Sequence, residues 1–209
     1  MKNKVICTLA ILLLSLPIKV DAQKLRGKIE KSIENLQEKS SLISKNQALL
    51  LGQLASRMVA NMDKGDFTVV FVDQTNGETS QLAKVWLTTS LIHFDLSDNF
   101  NIESAGLASS DQPINLSELE NLGFKVKNDK DNRGKSINVK YGSGYWHMKR
   151  KNIESLALDK DTSIKVYVEN GLTEKNAEIL FENNEAIARE MLYVASQINA
   201  MVQAKRNSH

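Results

Sequence analysis

Leu25, Ile29, Ile33 and Leu36 recur at helical spacing among charged residues, which predicts an N-terminal helix with a narrow apolar stripe. Such a stripe suffices for docking but not for folding alone. Ser44 is placed to open a second helix as a capping box, its hydroxyl taking a free amide while Gln47 reaches back. Leu51, Leu54, Ala55, Met58 and Met62 line the face of that helix, and Gly65 is its expected stop. Phe67 to Val72 is almost wholly apolar or β-branched and does not alternate, as in a strand covered on both faces of a parallel sheet. It is the expected central strand.

Leu82, Val85, Trp86 and Thr89 mark the inner face of a helix starting near Thr79. Asn101 to Gly106 reads as a short strand with an exit turn, Leu116 to Leu122 as a short helix, and Gly123 to Val126 as a cap and extended segment. After a polar loop from Asn128 to Arg133, Ile137, Val139 and Tyr141, then Trp146 and Met148, alternate on either side of Gly142-Ser143-Gly144. Ile164, Val166 and Val168 repeat that period of two. A last helix, capped by Thr173, carries the strongest stripe: Ala177, Leu180, Phe181, Ile187, Ala188, Met191, Ala195, Ile198 and Met201. The interleaving of strand and helix signals predicts a single α/β domain, a central parallel sheet flanked by helices, with an extra N-terminal helix.

The first 22 residues have the order of an export signal: Lys2 and Lys4, an apolar run from Val5 to Leu16, and the small-residue site Val20-Asp21-Ala22. The run is shorter than the roughly 20 apolar residues that span a bilayer, and Pro17 closes it. The expected organisation is therefore a signal at 1–22, a helical extension at 23–41, an α/β domain at 42–200 and a fraying tail at 201–209. An exported protein, periplasmic or extracellular, with no stable membrane insertion after signal removal, is the expectation.

Cys7, the only cysteine, leaves with that segment, so disulfides and thiol chemistry are not expected in the remainder. Removing the segment takes three lysines and one aspartate from totals of 27 basic and 25 acidic residues. The balanced charge that results gives no support to nucleic acid as a partner. His93 and His147 are far apart and lack metal-ligand spacing, so they read as surface or interfacial histidines, and no metal or cofactor is expected. Tyr141, Tyr145, Trp146 and Met148 form either an exposed contact surface or a hairpin packed on the core, the latter being commoner because aromatics mostly supply burial.

The candidate site is the run Asp73, Gln74, Thr75, Asn76, Gly77, Glu78, Thr79 and Ser80, between the expected central strand and the helix after it. In order of elements it resembles the strand, phosphate loop and helix of the low-molecular-weight protein-tyrosine-phosphatase and arsenate reductase family. Asn101 to Gly106 is similar to the family's second strand with its Ser-Ala-Gly end, and Ile187 to Val194 to its closing helix. The resemblance covers roughly Leu42 to Ala200. It implies a loop that opens with a cysteine nucleophile and closes with an arginine around an oxyanion; here Asp73 and Thr79 occupy those two positions. The family's general acid is an aspartate before the last helix, and Glu169 in Tyr167-Val168-Glu169-Asn170-Gly171 is the candidate to replace it, or is simply a turn carboxylate.

Two carboxylates near the loop, Asp73 and Glu78, would repel a phosphate dianion, and without the cysteine the family's thiol route is closed. The residues allow Asp73 to act as a capping carboxylate, with Asn76 and Gly77 supplying positive φ and the Thr79 and Ser80 hydroxyls holding the turn. They also allow Asp73 to act as a nucleophile, which would need a metal and a second carboxylate. The resulting expectation is a catalytically inactive phosphatase-like protein that acts by binding an unknown protein or small molecule. The alternative is a hydrolase or phosphatase using the same cleft through a carboxylate. A third reading makes the Leu25 to Leu36 stripe an oligomerisation helix, decided by whether one chain buries it.

Overall fold

The computed structural model describes residues 23–64, 67–129, 134–172 and 178–208. The expected signal at 1–22, the Gly65 stop, the Thr173 cap with Ala177, and most of the polar loop before Gly134 lie outside the described residues. In order the elements are helices α1 (Gly27–Glu38) and α2 (Lys45–Asn61), strand β1 (Thr68–Asp73), helix α3 (Glu78–His93) and strand β2 (Asn101–Gly106). Strands β3 (Lys125–Asn128), β4 (Ser136–Lys140), β5 (Tyr145–Lys149) and β6 (Ser163–Tyr167) follow, and helix α4 (Asn184–Asn207) closes the chain.

The run Phe67 to Val72 forms the central strand. β1 pairs in parallel with β2 on one side and β6 on the other, Val70 standing opposite Glu103 and Lys165. The fold is α/β, with a central parallel sheet of three strands flanked by helices. Val69 and Phe71 point into the main core shared by all four helices. Val70 and Val72 point the opposite way and join Ala105 under Ile153, Leu156 and Leu158. The unalternating run is thus explained by two covered faces, one under helices and the other under the irregular segment after β5. α3 is buried on most sides because α4 packs on its back, and α4 also lies along α2.

β3, β4 and β5 form a separate antiparallel sheet rather than extending the parallel one. Ile137, Val139 and Met148 place its inner face in the main core, while Tyr145 is exposed. Tyr141 and Trp146 stack at 4.3 Å, and Phe124 lies edge-on to Trp86 at 5.4 Å. The aromatic region is therefore mainly a packed hairpin, with Tyr145 facing outward.

α1 is not an appendage. Leu25, Ile29, Ile33 and Leu36 are all buried in the main core of one chain, which removes the motive for an oligomerisation helix. The segment before α1 is held by the hairpin turn: Arg26 N–H donates to the Tyr141 carbonyl at 2.9 Å, and Ser143 N–H to the Lys24 carbonyl at 3.0 Å. A Cβ on Gly142 would stand 1.8 Å from that Lys24 carbonyl oxygen, so the close approach requires glycine.

Three expected details change. Ser44 caps α2 through the Gln47 amide at 3.2 Å, but the Gln47 side chain turns away to the Leu180 carbonyl and the Glu190 carboxylate at 2.6 Å. α4 begins at Asn184, capped by the Asn183 side chain on the Ala186 amide at 2.9 Å, not near Thr173. Leu180 and Phe181 fall in phase with the stripe, yet the chain there is tied to the sheet by Ile179 N–H donating to the Tyr167 carbonyl. At its other end α4 continues to Asn207, because Val202 extends the buried stripe one turn past Ile198.

Candidate functional site

β1 ends beneath the point where the chain leaves it for α3 and β2 on one side, while β6 lies on the other. In open parallel sheets such a switch point leaves a crevice at the carboxyl ends of the strands, where ligands bind. Residues 73–80 fill it. Asn76 adopts the left-handed conformation with φ of 51°, whereas Gly77 has φ of −81° and needs no special freedom. Asn76 is fully buried; its side chain donates to the Ser104 carbonyl at 3.2 Å and accepts from the Ser80 hydroxyl at 3.1 Å. Gln81 Nε2 donates to the Asn76 carbonyl at 2.9 Å. Thr79 is half-buried and its hydroxyl makes no hydrogen bond among the described residues, so Ser80 alone of the expected pair holds the turn.

Gly106 at the end of β2 is what lets the loop lie so low. A Cβ there would stand 2.4 Å from the Asn76 nitrogen and 2.6 Å from the Thr75 carbonyl carbon. The Ser104-Ala105-Gly106 end of β2 therefore has a packing role as the floor of the loop.

The loop amides are turned inward, and the group they meet is the Asp73 carboxylate. Oδ1 accepts from Thr75 N–H at 3.0 Å and Gly77 N–H at 2.9 Å; Oδ2 accepts from Gly77 N–H at 2.9 Å and Ser80 N–H at 3.2 Å. Asp73 is buried. A negative charge held by inward amides at a helix N-terminus is the arrangement an anion site uses, here satisfied from within the chain. Glu169 adds a second carboxylate from the turn after β6, its Oε2 accepting from Gln74 N–H at 2.7 Å. Of the three carboxylates singled out from sequence, the structure thus brings Asp73 and Glu169 to the same loop.

Glu78 points elsewhere. Asn184 Nδ2 donates both to Glu78 at 3.0 Å and to Glu118 at 2.6 Å. Burial, and then the neighbouring Glu118 charge, push the Glu78 carboxyl above the ordinary range, while the Asn184 hydrogen bond works against them. The cation near the loop is Arg150, which sequence reading passed over. Its Nη1 donates to the Thr75 carbonyl at 2.9 Å and the Asn76 carbonyl at 3.1 Å, and its other nitrogens to Gln112 and Pro113 carbonyls. Arg150 braces the outside of the loop through carbonyls. In sequence Arg150 is one of three consecutive cations after a strand, and nothing local separates it from a solvated run.

His93 lies against Glu30 at 2.7 Å, joining α3 to α1, and His147 is exposed beside Asn138 at 3.2 Å. Among the described residues, no group of three His, Cys, Asp or Glu side chains could hold a metal, and no helix is long and apolar enough to cross a membrane.

No family model matches the chain, and no curated protein matches it. Among solved structures, a thioredoxin-dependent arsenate reductase of Corynebacterium glutamicum is similar over 87% of this chain and 98% of its own, at 13% sequence identity and a TM-score of 0.31.

Proposed function

We propose that this chain is an exported, catalytically degenerate member of the low-molecular-weight phosphatase-like group that acts by binding rather than by turnover. The observation that carries this reading is the Asp73 carboxylate engaged by the amides of Thr75, Gly77 and Ser80. A nucleophile needs a free lone pair aimed at the substrate, and a phosphate needs those same amides. Asp73 takes up both requirements at once. Glu169 on the Gln74 amide and Thr79 in place of a cation act in the same direction, disfavouring a dianion in the loop.

The test is turnover of a generic aryl phosphate, with and without magnesium, and of arsenate with a thiol reductant, by extensively purified protein. No turnover is expected. Activity that survives purification and vanishes in Asp73→Ala would replace this reading with a carboxylate-based hydrolase, for which the pairing of Asp73 with Glu169 at one loop is the favouring observation.

A further inference from the structure

We propose that the outer edge of β6, facing α2, is a docking site for an extended peptide strand in which apolar and acidic residues alternate. The proposal is independent of whether the Asp73 loop catalyses anything.

Among the described residues β6 pairs on one side only, which leaves its other edge without a neighbouring strand. The parallel register fixes which backbone groups are left over. Thr68 N–H donates to the Thr162 carbonyl and Val168 N–H to the Val72 carbonyl, so the even-numbered residues between them turn their amides and carbonyls toward β1. Ser163, Lys165 and Tyr167 consequently direct theirs outward. Of these groups the Tyr167 carbonyl is taken by Ile179 N–H at 2.9 Å, which closes one end of the edge. The amide and carbonyl of Ser163 and Lys165, and the Tyr167 amide, have no hydrogen-bond partner among the described residues.

This edge opens into a cleft of about 330 Å³, walled opposite by Leu50, Leu54 and Arg57 of α2. A strand laid beside β6 would continue its alternation, since residues opposite one another across a ladder share a face. Positions opposite Ile164 and Val166, which are buried on the helix side, would meet Leu50 and Leu54. Positions flanking the exposed Lys165 would emerge on the other face. Arg57, Lys160 and Lys165 line the cleft without ion pairs among the described residues, and no carboxylate lines it. The edge thus supplies a ladder, the helix face selects apolar side chains at alternate positions, and Lys165 on the other face selects acidic ones between them, with Arg57 and Lys160 adding positive charge to the cleft. A lysine on an edge strand also discourages edge-to-edge pairing of identical chains, which favours a foreign acidic strand over a second copy.

The probe is the capped heptapeptide Val-Asp-Val-Asp-Val-Asp-Val, titrated into the purified protein by calorimetry alongside three controls. These are the same peptide with alternate amides N-methylated, the lysine-for-aspartate peptide, and sedimentation of the protein alone. Saturable binding is expected, with a loss of about tenfold or more on N-methylation of the ladder-forming amides, the scale of one or two net hydrogen bonds. Lys165→Pro removes an outward amide without touching the β1 ladder and should abolish binding while far-ultraviolet circular dichroism is unchanged. Lys165→Glu should reverse the preference between the two peptides. Lack of binding by the acidic peptide, equal binding of the N-methylated one, preference for the lysine peptide, or self-association through this edge would each overturn the proposal.

Discussion

Both oxygens of the Asp73 carboxylate lie 2.9 Å from the amide nitrogen of Gly77, four residues further along the chain. This bond closes the loop on itself and places the chain's own charge at the amino end of α3. An anion from solution would have to displace it.

Replacing that carboxylate should expose the cradle and weaken the fold together. Asp73→Ala should unmask phosphate or sulfate binding, detectable by calorimetric titration, and should cost about 2–3 kcal/mol in denaturant unfolding because buried amides lose a charged acceptor. Asp73→Cys combined with Thr79→Arg should strengthen anion binding further by supplying a bidentate cation. Undetectable binding in the wild type and both variants would mean that the amides do not form an anion site.

Gly106→Ala isolates the floor of the loop. Its methyl group would sit 2.4 Å from the Asn76 nitrogen, and the obstacle is backbone rather than a flexible side chain. We expect a loss of about 2–4 kcal/mol in urea unfolding, in the range of a strained overpacking. Ala105→Gly, at the adjacent position on the other face, should leave the Asn76 environment intact when followed by amide chemical shifts.

Two glutamates, Glu103 half-buried and Glu190 buried, should give opposite pH dependences. For Glu103, burial raises the carboxyl, but the ammonium groups of Lys84 and Lys151, each at 2.8 Å, outweigh it and bring it below its usual 4.5. A depressed folded value means stability that is present above the unfolded value and lost as pH falls through the folded one. Glu103→Gln should therefore cost about 1–2 kcal/mol near neutrality, with the difference closing as the pH falls below 4.5 and through the folded value. For Glu190, burial raises the carboxyl despite the Gln47 hydrogen bond and the nearby Arg189 charge. Its ionisation thus costs stability as pH rises above the unfolded value, and Glu190→Gln should gain relative to wild type between acid and neutral pH. Paired thermal melts of both variants from pH 3.5 to 7.5 test the two signs.

Export is checked at the amino terminus. Protein secreted from a bacterial host should begin at Gln23 by intact mass, since Val20 and Ala22 are small residues at the positions a signal peptidase reads. Retention of Met1 to Ala22 would overturn the assignment.

The central strand, the helix after it and the hairpin about Gly142 were legible because burial writes itself into local rhythm. A strand covered twice loses its alternation, and a half-covered one keeps it. The capping role open to Asp73 was legible for a similar reason, since a carboxylate five residues before the start of α3 has the free amides of the intervening turn and the helix end within reach. Where long-range partners decide, the rhythm misled or was silent. Gln47 looks like a capping-box residue, but Glu190, 143 residues away, offers it a charged acceptor. Leu180 and Phe181 keep helical phase, but the β6 edge takes the Ile179 amide first, so α4 waits for Asn183.

The order of strand, loop and helix, the double burial of β1 and a carboxylate at the loop's entrance were determined by the amino-acid sequence itself, since each depends on neighbours within a few residues. Tertiary structure alone decided that Glu169 joins Asp73 at the loop, that Arg150 braces the loop from behind, and that among the described residues β6 keeps an unpaired edge beside Arg57, Lys160 and Lys165 without ion-pair partners. Those relationships join residues tens of positions apart. No local propensity encodes them, and they exist only once the core has closed and the remaining polar groups have found, or failed to find, their partners.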